Sequence, residues 1–220
     1  MSLVTLRERL IEHLEPAVSW TPDRAPARSD FDLNPGADRP ERTLRPAAVL
    51  IPVIAGPTGA AVLMTRRSDS LASHTGQIAF PGGRLDPGET AVEAALREAF
   101  EEVALDPALV EVLGVGDAYE TGTGFLVTPV VGWLTETPAT RAAPEEVAEV
   151  FEAPWDFLMD PANHRRDSYD REGEPRRWFW AMTHEERYIW GVTAGIVRAL
   201  RARLYGEEPE ADQAAAEDAA

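Results

Sequence analysis

Gly83-Arg84-Leu85-Asp86-Pro87-Gly88-Glu89-Thr90-Ala91-Val92-Glu93-Ala94-Ala95-Leu96-Arg97-Glu98-Ala99-Phe100-Glu101-Glu102-Val103-Ala104-Leu105 is the most informative stretch of this chain. Thr90 followed three residues later by Glu93 is a capping-box signature, which predicts a helix from about Thr90 to Val103. Val92, Ala95, Leu96, Ala99 and Val103 recur at helical spacing and give that helix a face to bury, and Asp106-Pro107 closes it. Alanines on the buried face imply close packing against a sheet. Ahead of the helix, Pro81-Gly82-Gly83 breaks an apolar run, so the chain turns sharply there.

On such a helix Glu98 and Glu102 lie four residues apart and Glu101 lies three from Glu98, so the three carboxylates share one face. Like charges at that spacing repel unless a cation neutralises them. A solvated acidic face is the plain alternative, but the Gly-Gly turn, the cap and the acids at fixed offsets together favour a site for a hard divalent metal. Oxygen ligands point to Mg2+, with Mn2+ able to substitute. Arg97 stands four residues after Glu93 and four before Glu101, where its guanidinium can pair with carboxylates and hold them, and Glu89 is its companion in that supporting role. Gly82 and Gly83 permit a close backbone approach to a metal or phosphate.

This segment resembles the Nudix box of the Nudix hydrolases over about 23 residues. The resemblance implies an α/β/α sandwich with a mixed β-sheet, cleavage of a nucleoside diphosphate linked to another moiety, and Glu98, Glu101 and Glu102 as metal ligands. One departure is Ala104, where the family pattern has Gly; a left-handed cap costs more there, so a local adjustment of the helix end is expected. Just upstream, Leu63-Met64-Thr65-Arg66-Arg67-Ser68 and Gly76-Gln77-Ile78-Ala79-Phe80-Pro81-Gly82-Gly83 resemble the coenzyme A pyrophosphatase subfamily. Thr128–Gly132, Glu146–Phe151 and Ile189–Ala194 are similar to it as well. Arg66 and Arg67 can offer forked donors to phosphates, or form surface ion pairs; Phe80 can pack beneath a base or pantetheine arm, or lie in the core. The subfamily pattern has an Arg where this chain has Ala72, which leaves room for a different nucleotide, and a lone His such as His74 is more often structural than catalytic. Glu146 or Glu149 can add a metal ligand or a base from outside the box, or be an ordinary acid on a helix surface.

Outward from this core, Leu3, Leu6, Leu10 and Leu14 predict a short amphipathic helix packed against the domain, and 20–46 reads as an irregular connection without chemistry. Ala47–Ile54 and Ala60–Thr65 read as paired strands about the turn residues Gly56–Gly59. Further strands are predicted at Val110–Leu113, Leu126–Trp133 and Trp178–Met182, with a closing helix over Ile189–Tyr205. Ser68–Gly76 reads as a polar loop. The expected organisation is 1–45 helix and connection, 46–205 hydrolase domain, and 206–220 an acidic tail whose composition suits disorder.

Composition narrows the function. A net charge of −17 disfavours a nucleic-acid partner, and no apolar run approaches the roughly 18 residues of a membrane span. With no signal core at the N-terminus, a cytoplasmic enzyme acting on a small nucleotide substrate is expected; oligomeric state has no sequence signal. Zero cysteines remove thiolate ligands and cysteine nucleophiles, which leaves oxygen donors in front. Bound cations would reconcile so acidic a protein with an anionic substrate. The expected reaction is metal-assisted hydrolysis, with Glu98 or Glu101 as base or orienter of the attacking water. Coenzyme A or an acyl derivative would yield 3′,5′-ADP and 4′-phosphopantetheine or its acylated form. The alternatives are another nucleoside diphosphate substrate (ADP-ribose, a dinucleotide or a nucleoside triphosphate), or a non-catalytic nucleotide sensor.

Overall fold

The computed structural model describes residues 1–68, 76–170, 173 and 175–207. The leucine spacing at the N-terminus produces helix α1 (Leu3–His13), whose Ser2 hydroxyl caps it by accepting from the Thr5 N–H. The Pro- and Asp-rich connection is mainly irregular and contributes one two-residue strand, β1 (Arg28–Ser29). The two apolar runs form β2 (Arg45–Gly56) and β3 (Gly59–Arg67), paired antiparallel across the predicted turn. After β4 (Ile78–Ala79) and β5 (Gly82–Arg84) comes α2 (Ala91–Val103), with the complete Thr90/Glu93 capping box. Then follow β6 (Glu111–Val115), β7 (Tyr119–Glu120), β8 (Phe125–Leu134) and β9 (Val147–Pro154). A short α3 (Trp155–Met159) leads to β10 (Arg165–Tyr169), β11 (Arg177–His184), β12 (Arg187–Trp190) and the last helix, α4 (Val192–Tyr205).

β2 is long enough to take two neighbours on one edge. β5 pairs along Ala47–Val49 and β3 along Val53–Gly56, while β8 runs parallel to β2 from Arg45 to Ile54 on the other edge. β9 flanks β3, and β6 and β7 flank β8, so the large sheet is mixed; β10, β11 and β12 form a second, antiparallel sheet.

Strand alternation sorts β2 into two cores. Ala48, Leu50 and Ile54 pack with Ala91, Ala94, Ala95, Ala99 and Val103 of α2, whose small side chains let the helix approach the sheet closely. Ala47, Ile51 and Val53 face the other way, toward Leu6 and Leu10 of α1, Leu158 of α3, Met182 of β11 and Ile196 of α4. This is the α/β/α sandwich about a mixed sheet that the family resemblance implied. Among the described residues no helix is long and apolar enough to cross a membrane.

Four expectations change. The last helix starts at Val192 rather than Ile189, because Gly191 takes φ 61 and Ile189-Trp190 ends β12, paired with Ala181 and Met182. Glu149 lies on β9 and Glu146 just before it, so neither sits on a helix. The end of α2 does not adjust for Ala104, which adopts the left-handed conformation itself at φ 55, ψ 30, at a cost of about 1 kcal/mol. Two bonds hold it there: Ala104 N–H to Phe100 O at 2.9 Å and Leu105 N–H to Ala99 O at 3.3 Å, with the Leu105 side chain buried beneath α2. Finally, α3, β9, β10 and β12 had no counterpart in the sequence reading. Ala72, His74 and the acidic tail from 208 onward fall outside the described residues, as does most of the polar loop.

Candidate active site

β5 lies between β2 and the C-terminal half of α2, and both of its glycines are there for space. A Cβ on Gly82 would stand 2.4 Å from the Ala48 carbonyl oxygen, which would push β5 off β2. A Cβ on Gly83 would stand 2.4 Å from Oε1 of Glu98, inside the room that carboxylate occupies. The Gly-Gly turn is thus what lets a strand edge and a helix carboxylate meet.

Glu102 is the most enclosed of the helix acids, only 4% exposed. Its Oε2 accepts the Gly82 N–H at 3.2 Å, and Arg67 Nη1 stands 4.0 Å from its Oε1. Burial pushes its pKa up to about 7, and the nearby charges of Glu98 and Glu146 push the same way, against the Gly82 bond and Arg67. Glu98 is raised too, first by burial and then by the charges of Glu101 and Glu146, although it accepts from Arg97 Nη1 at 2.9 Å. Glu101 is 56% exposed at its side chain and accepts from the same Nη1 at 3.3 Å.

Arg97 organises this cluster. Its Nε and Nη2 donate to the two Glu89 oxygens at 2.7 and 3.0 Å, and Nη2 also reaches the Arg84 carbonyl at 3.0 Å. Glu89 in turn accepts the Asp86 N–H, and its pairing with Arg97 holds its carboxyl below the usual range. A forked guanidinium therefore ties the turn after β5 to Glu98 and Glu101.

The structure separates the two acids that the sequence offered from outside the helix. Glu146 acts on the charges of both Glu98 and Glu102, and its segment is tied to the end of α2 by Ala143 N–H to Glu102 O and Arg141 N–H to Val103 O. Glu149 instead lies between Arg187, at 2.6 Å from Nη2, and Arg66, at 3.5 Å from Nε. Arg66 and Arg67 thus part company: Arg67 faces the acid cluster, with a buried Nε that has no hydrogen-bond partner among the described residues, whereas Arg66 faces Glu149. Phe80, 4% exposed, is a core side chain and offers no face to a ligand. Arg187 had no signal in the sequence, since Glu149 lies 38 residues away and only the fold joins them.

As for a metal, the donor set is all oxygen, and the buried Glu102 and the part-buried Glu98 both have raised pKa values, each partly through the other acids nearby, which suits a hard divalent cation. The three helix carboxylates have different partners: Arg97 donates to Glu98 and Glu101, while Gly82 donates to Glu102. Among the described residues no group of three or more His, Asp or Glu side chains is arranged to hold a metal ion.

Comparison with known proteins places the chain by sequence. The NUDIX domain matches residues 44–173. The "Uncharacterized Nudix hydrolase NudL" of Escherichia coli O6:H1 is 42% identical over 173 residues, spanning 78% of this chain and 89% of the relative. NudL of Escherichia coli K12 is 41% identical over the same spans. Among solved structures, the Nudix hydrolase RenU of M. Smegmatis aligns with TM-score 0.46 and 28% identity, over 54% of this chain and 76% of its own. Fold and kinship together define an enzyme that cleaves phosphoanhydride bonds, a pyrophosphohydrolase acting on nucleoside diphosphate derivatives. The chain belongs to the Nudix family, whose hydrolases generally need divalent metal ions.

Proposed function

We propose that this chain hydrolyses the diphosphate linkage of coenzyme A or an acyl derivative, with Mg2+, or Mn2+ in its place, held by Glu98, Glu101 and Glu102 and supplemented by Glu146. The observation that carries the reading is the buried Glu102 carboxyl, pushed up to about 7 beside Glu98 and Glu146 at a glycine turn, an arrangement whose electrostatic cost a divalent cation would relieve. When bound, the cation would spread the diphosphate charge and acidify a water.

The protein's own groups divide the remaining work. Arg67, whose Nη1 stands 4.0 Å from Glu102, offers guanidinium donors to the incoming phosphate. Glu98, part buried and raised, is the acid best suited to accept the proton of the attacking water, with Glu101 as the alternative base. Arg97, fixed by Glu89, positions both. Gly82 orients Glu102 through its N–H, and Gly83 leaves Glu98 its room. The coenzyme A assignment rests on the resemblance of Leu63–Ser68 and Gly76–Gly83 to that subfamily.

A second reading, a Nudix hydrolase of ADP-ribose, a dinucleotide or a nucleoside triphosphate, is favoured by Ala72 where the subfamily has Arg. Incubating the protein with coenzyme A and Mg2+ and separating the products decides between them. The expected products are 3′,5′-ADP and 4′-phosphopantetheine. Intact coenzyme A across several metals and pH values, alongside turnover of ADP-ribose, would overturn the first reading in favour of the second.

A further inference from the structure

Three arginines meet at the start of β2, on the face of the sheet turned away from α2. Arg45 is the register partner of Phe125 on β8, and its guanidinium lies 4.0 Å from the centre of that ring. Arg84 pairs with Ala47, two residues along β2 and so on the same face, and its guanidinium lies 5.2 Å from the same ring centre. Gly83, one residue earlier, lies against the Glu98 carboxylate. Alternation therefore sends the Arg84 side chain to the opposite face, where Phe125 packs against the core that holds Leu6 and Leu10. Arg42 joins them from the connection ahead of β2, a segment read from the sequence as without chemistry.

These guanidiniums are held in place before any ligand arrives. Thr121-Gly122-Thr123-Gly124 links β7 to β8 and turns successive carbonyls toward them. Arg42 Nη2 donates to Thr121 O at 3.2 Å and to Gly122 O at 2.8 Å, and Arg45 Nη2 donates to Thr123 O at 3.0 Å. Gly124 takes φ 88, and a Cβ there would stand 3.1 Å from the central carbon of the Arg42 guanidinium, so glycine both permits the turn and clears the room.

What the three lack is a carboxylate. Arg7, Arg24, Arg28, Arg39, Arg97 and Arg203 each pair with an acid, as a net charge of −17 makes easy. Among the described residues Arg42, Arg45 and Arg84 form no ion pair, not even with Glu41 beside Arg42 in the chain. Asp86, the nearest acid to Arg84 in sequence, stands 4.0 Å from Arg97 instead. Asp30, whose carboxylate reaches the same loop, accepts from the Gly122 N–H at 2.7 Å and the Tyr119 hydroxyl at 3.0 Å. Nε and Nη1 of Arg42 and Arg45, and the whole Arg84 guanidinium, thus have no hydrogen-bond acceptor among the described residues.

We propose that Arg42, Arg45 and Arg84 form an anion site, separate from the acid cluster, that takes the phosphate of a phosphate monoester. A phosphate dianion offers oxygens that several guanidinium forks can share, and its charge would offset the repulsion of three like charges gathered at one ring. Carbonyl, glycine and ring contacts already restrain the side chains, so less freedom is lost on binding. Two sources share this chemistry: a phosphate that the substrate carries away from the cleaved linkage, and a separate phosphorylated molecule.

The test is equilibrium binding of ribose 5-phosphate and of ribose by the full chain in metal-free buffer, where no cation bridges phosphate to the acid cluster. The wild type is compared with Arg45→Gln, Arg84→Gln and Arg7→Gln, with folding checked by circular dichroism. Ribose 5-phosphate is expected to bind the wild type, and ribose is not. Arg45→Gln and Arg84→Gln should each weaken the phosphate ligand about tenfold, while Arg7→Gln, which removes the same charge elsewhere, leaves its affinity unchanged. No saturable binding of ribose 5-phosphate by the wild type overturns the proposal, as does an affinity that is unchanged in both folded variants of the site or reduced equally in all three. Turnover in Mg2+ then separates the sources. Competition between ribose 5-phosphate and the substrate that is lost in Arg84→Gln upholds the site as one for a phosphate of the substrate; competition that is absent, or unchanged in that variant, upholds it as one for a separate molecule. The binding measurements need no turnover, so they stand whether or not coenzyme A is cleaved.

Discussion

Glu102 shows how a single side chain stores the tension of the site. Its carboxyl has an ordinary value of 4.5 and is raised to about 7 in the fold, because burial and two neighbouring acids oppose its charge. The folded chain thus holds a proton there that the unfolded chain has released, and linkage fixes the sign. The contribution to stability is fully present below 4.5, declines as pH rises, and is gone above about 7, a change of about 3 kcal/mol. Glu102→Gln keeps a neutral group in place and removes that decline. In metal-free buffer the variant is expected to be more stable than the wild type at pH 8 and equal to it at pH 4.5, as measured by urea unfolding. Added Mg2+ should raise the wild-type midpoint at pH 8 and leave the variant's nearly unmoved. Identical pH profiles for the two proteins would remove Glu102 from the site.

At the scale of elements, the contact between β5 and α2 turns on two adjacent glycines with different neighbours. The Gly82 position is closed by backbone, the Ala48 carbonyl at 2.4 Å, so Gly82→Ala must displace the strand; a loss of about 3 kcal/mol in urea unfolding is expected. The Gly83 position is closed by the end of the Glu98 side chain, which can swing aside, so Gly83→Ala is expected to keep its stability and lose about 100-fold in kcat. Equal effects of the two substitutions on stability would contradict this division. α2 itself was legible because its signals are local: the Thr90/Glu93 cap, the alanine stripe and the Glu98, Glu101 and Glu102 offsets all fall within one helix. β2 and β3 were legible for the same reason, as apolar runs about turn residues. The Gly82 bond to Glu102 was not, since the two lie 20 residues apart. The strands β9 and β12 were hidden more deeply. Charged residues interrupt their apolar alternation, and they are strands because of partners far away in sequence, such as Arg66 opposite Glu149.

Taken whole, the molecule closes on its own N-terminus. The sequence divides at 45/46 by composition, yet Leu6, Leu10 and Leu14 of the first segment sit in the same core as Ile51 of β2 and Leu200 of α4. Backbone ties join the two parts as well: Glu15 and Val115 exchange both N–H to O bonds, at 3.0 and 2.9 Å. Further along the connection, the Asn34 side chain donates to the Trp178 carbonyl and accepts its N–H, both at 2.9 Å. A segment that contributes core side chains and pairs on both sheets should unfold together with them, in one transition rather than ahead of them. Leu10 is the sharpest probe, because it is a fully buried side chain of α1. Leu10→Ala is expected to cost about 3 kcal/mol by lost transfer energy and residual cavity, and to lower the urea midpoint by the same amount whether followed by tryptophan fluorescence or by far-ultraviolet circular dichroism. The six tryptophans run from Trp20 to Trp190, so fluorescence reports mainly on the parts beyond α1. If their transition stayed at the wild-type midpoint while helical signal was lost earlier, α1 would be an appendage that the catalytic sandwich can shed.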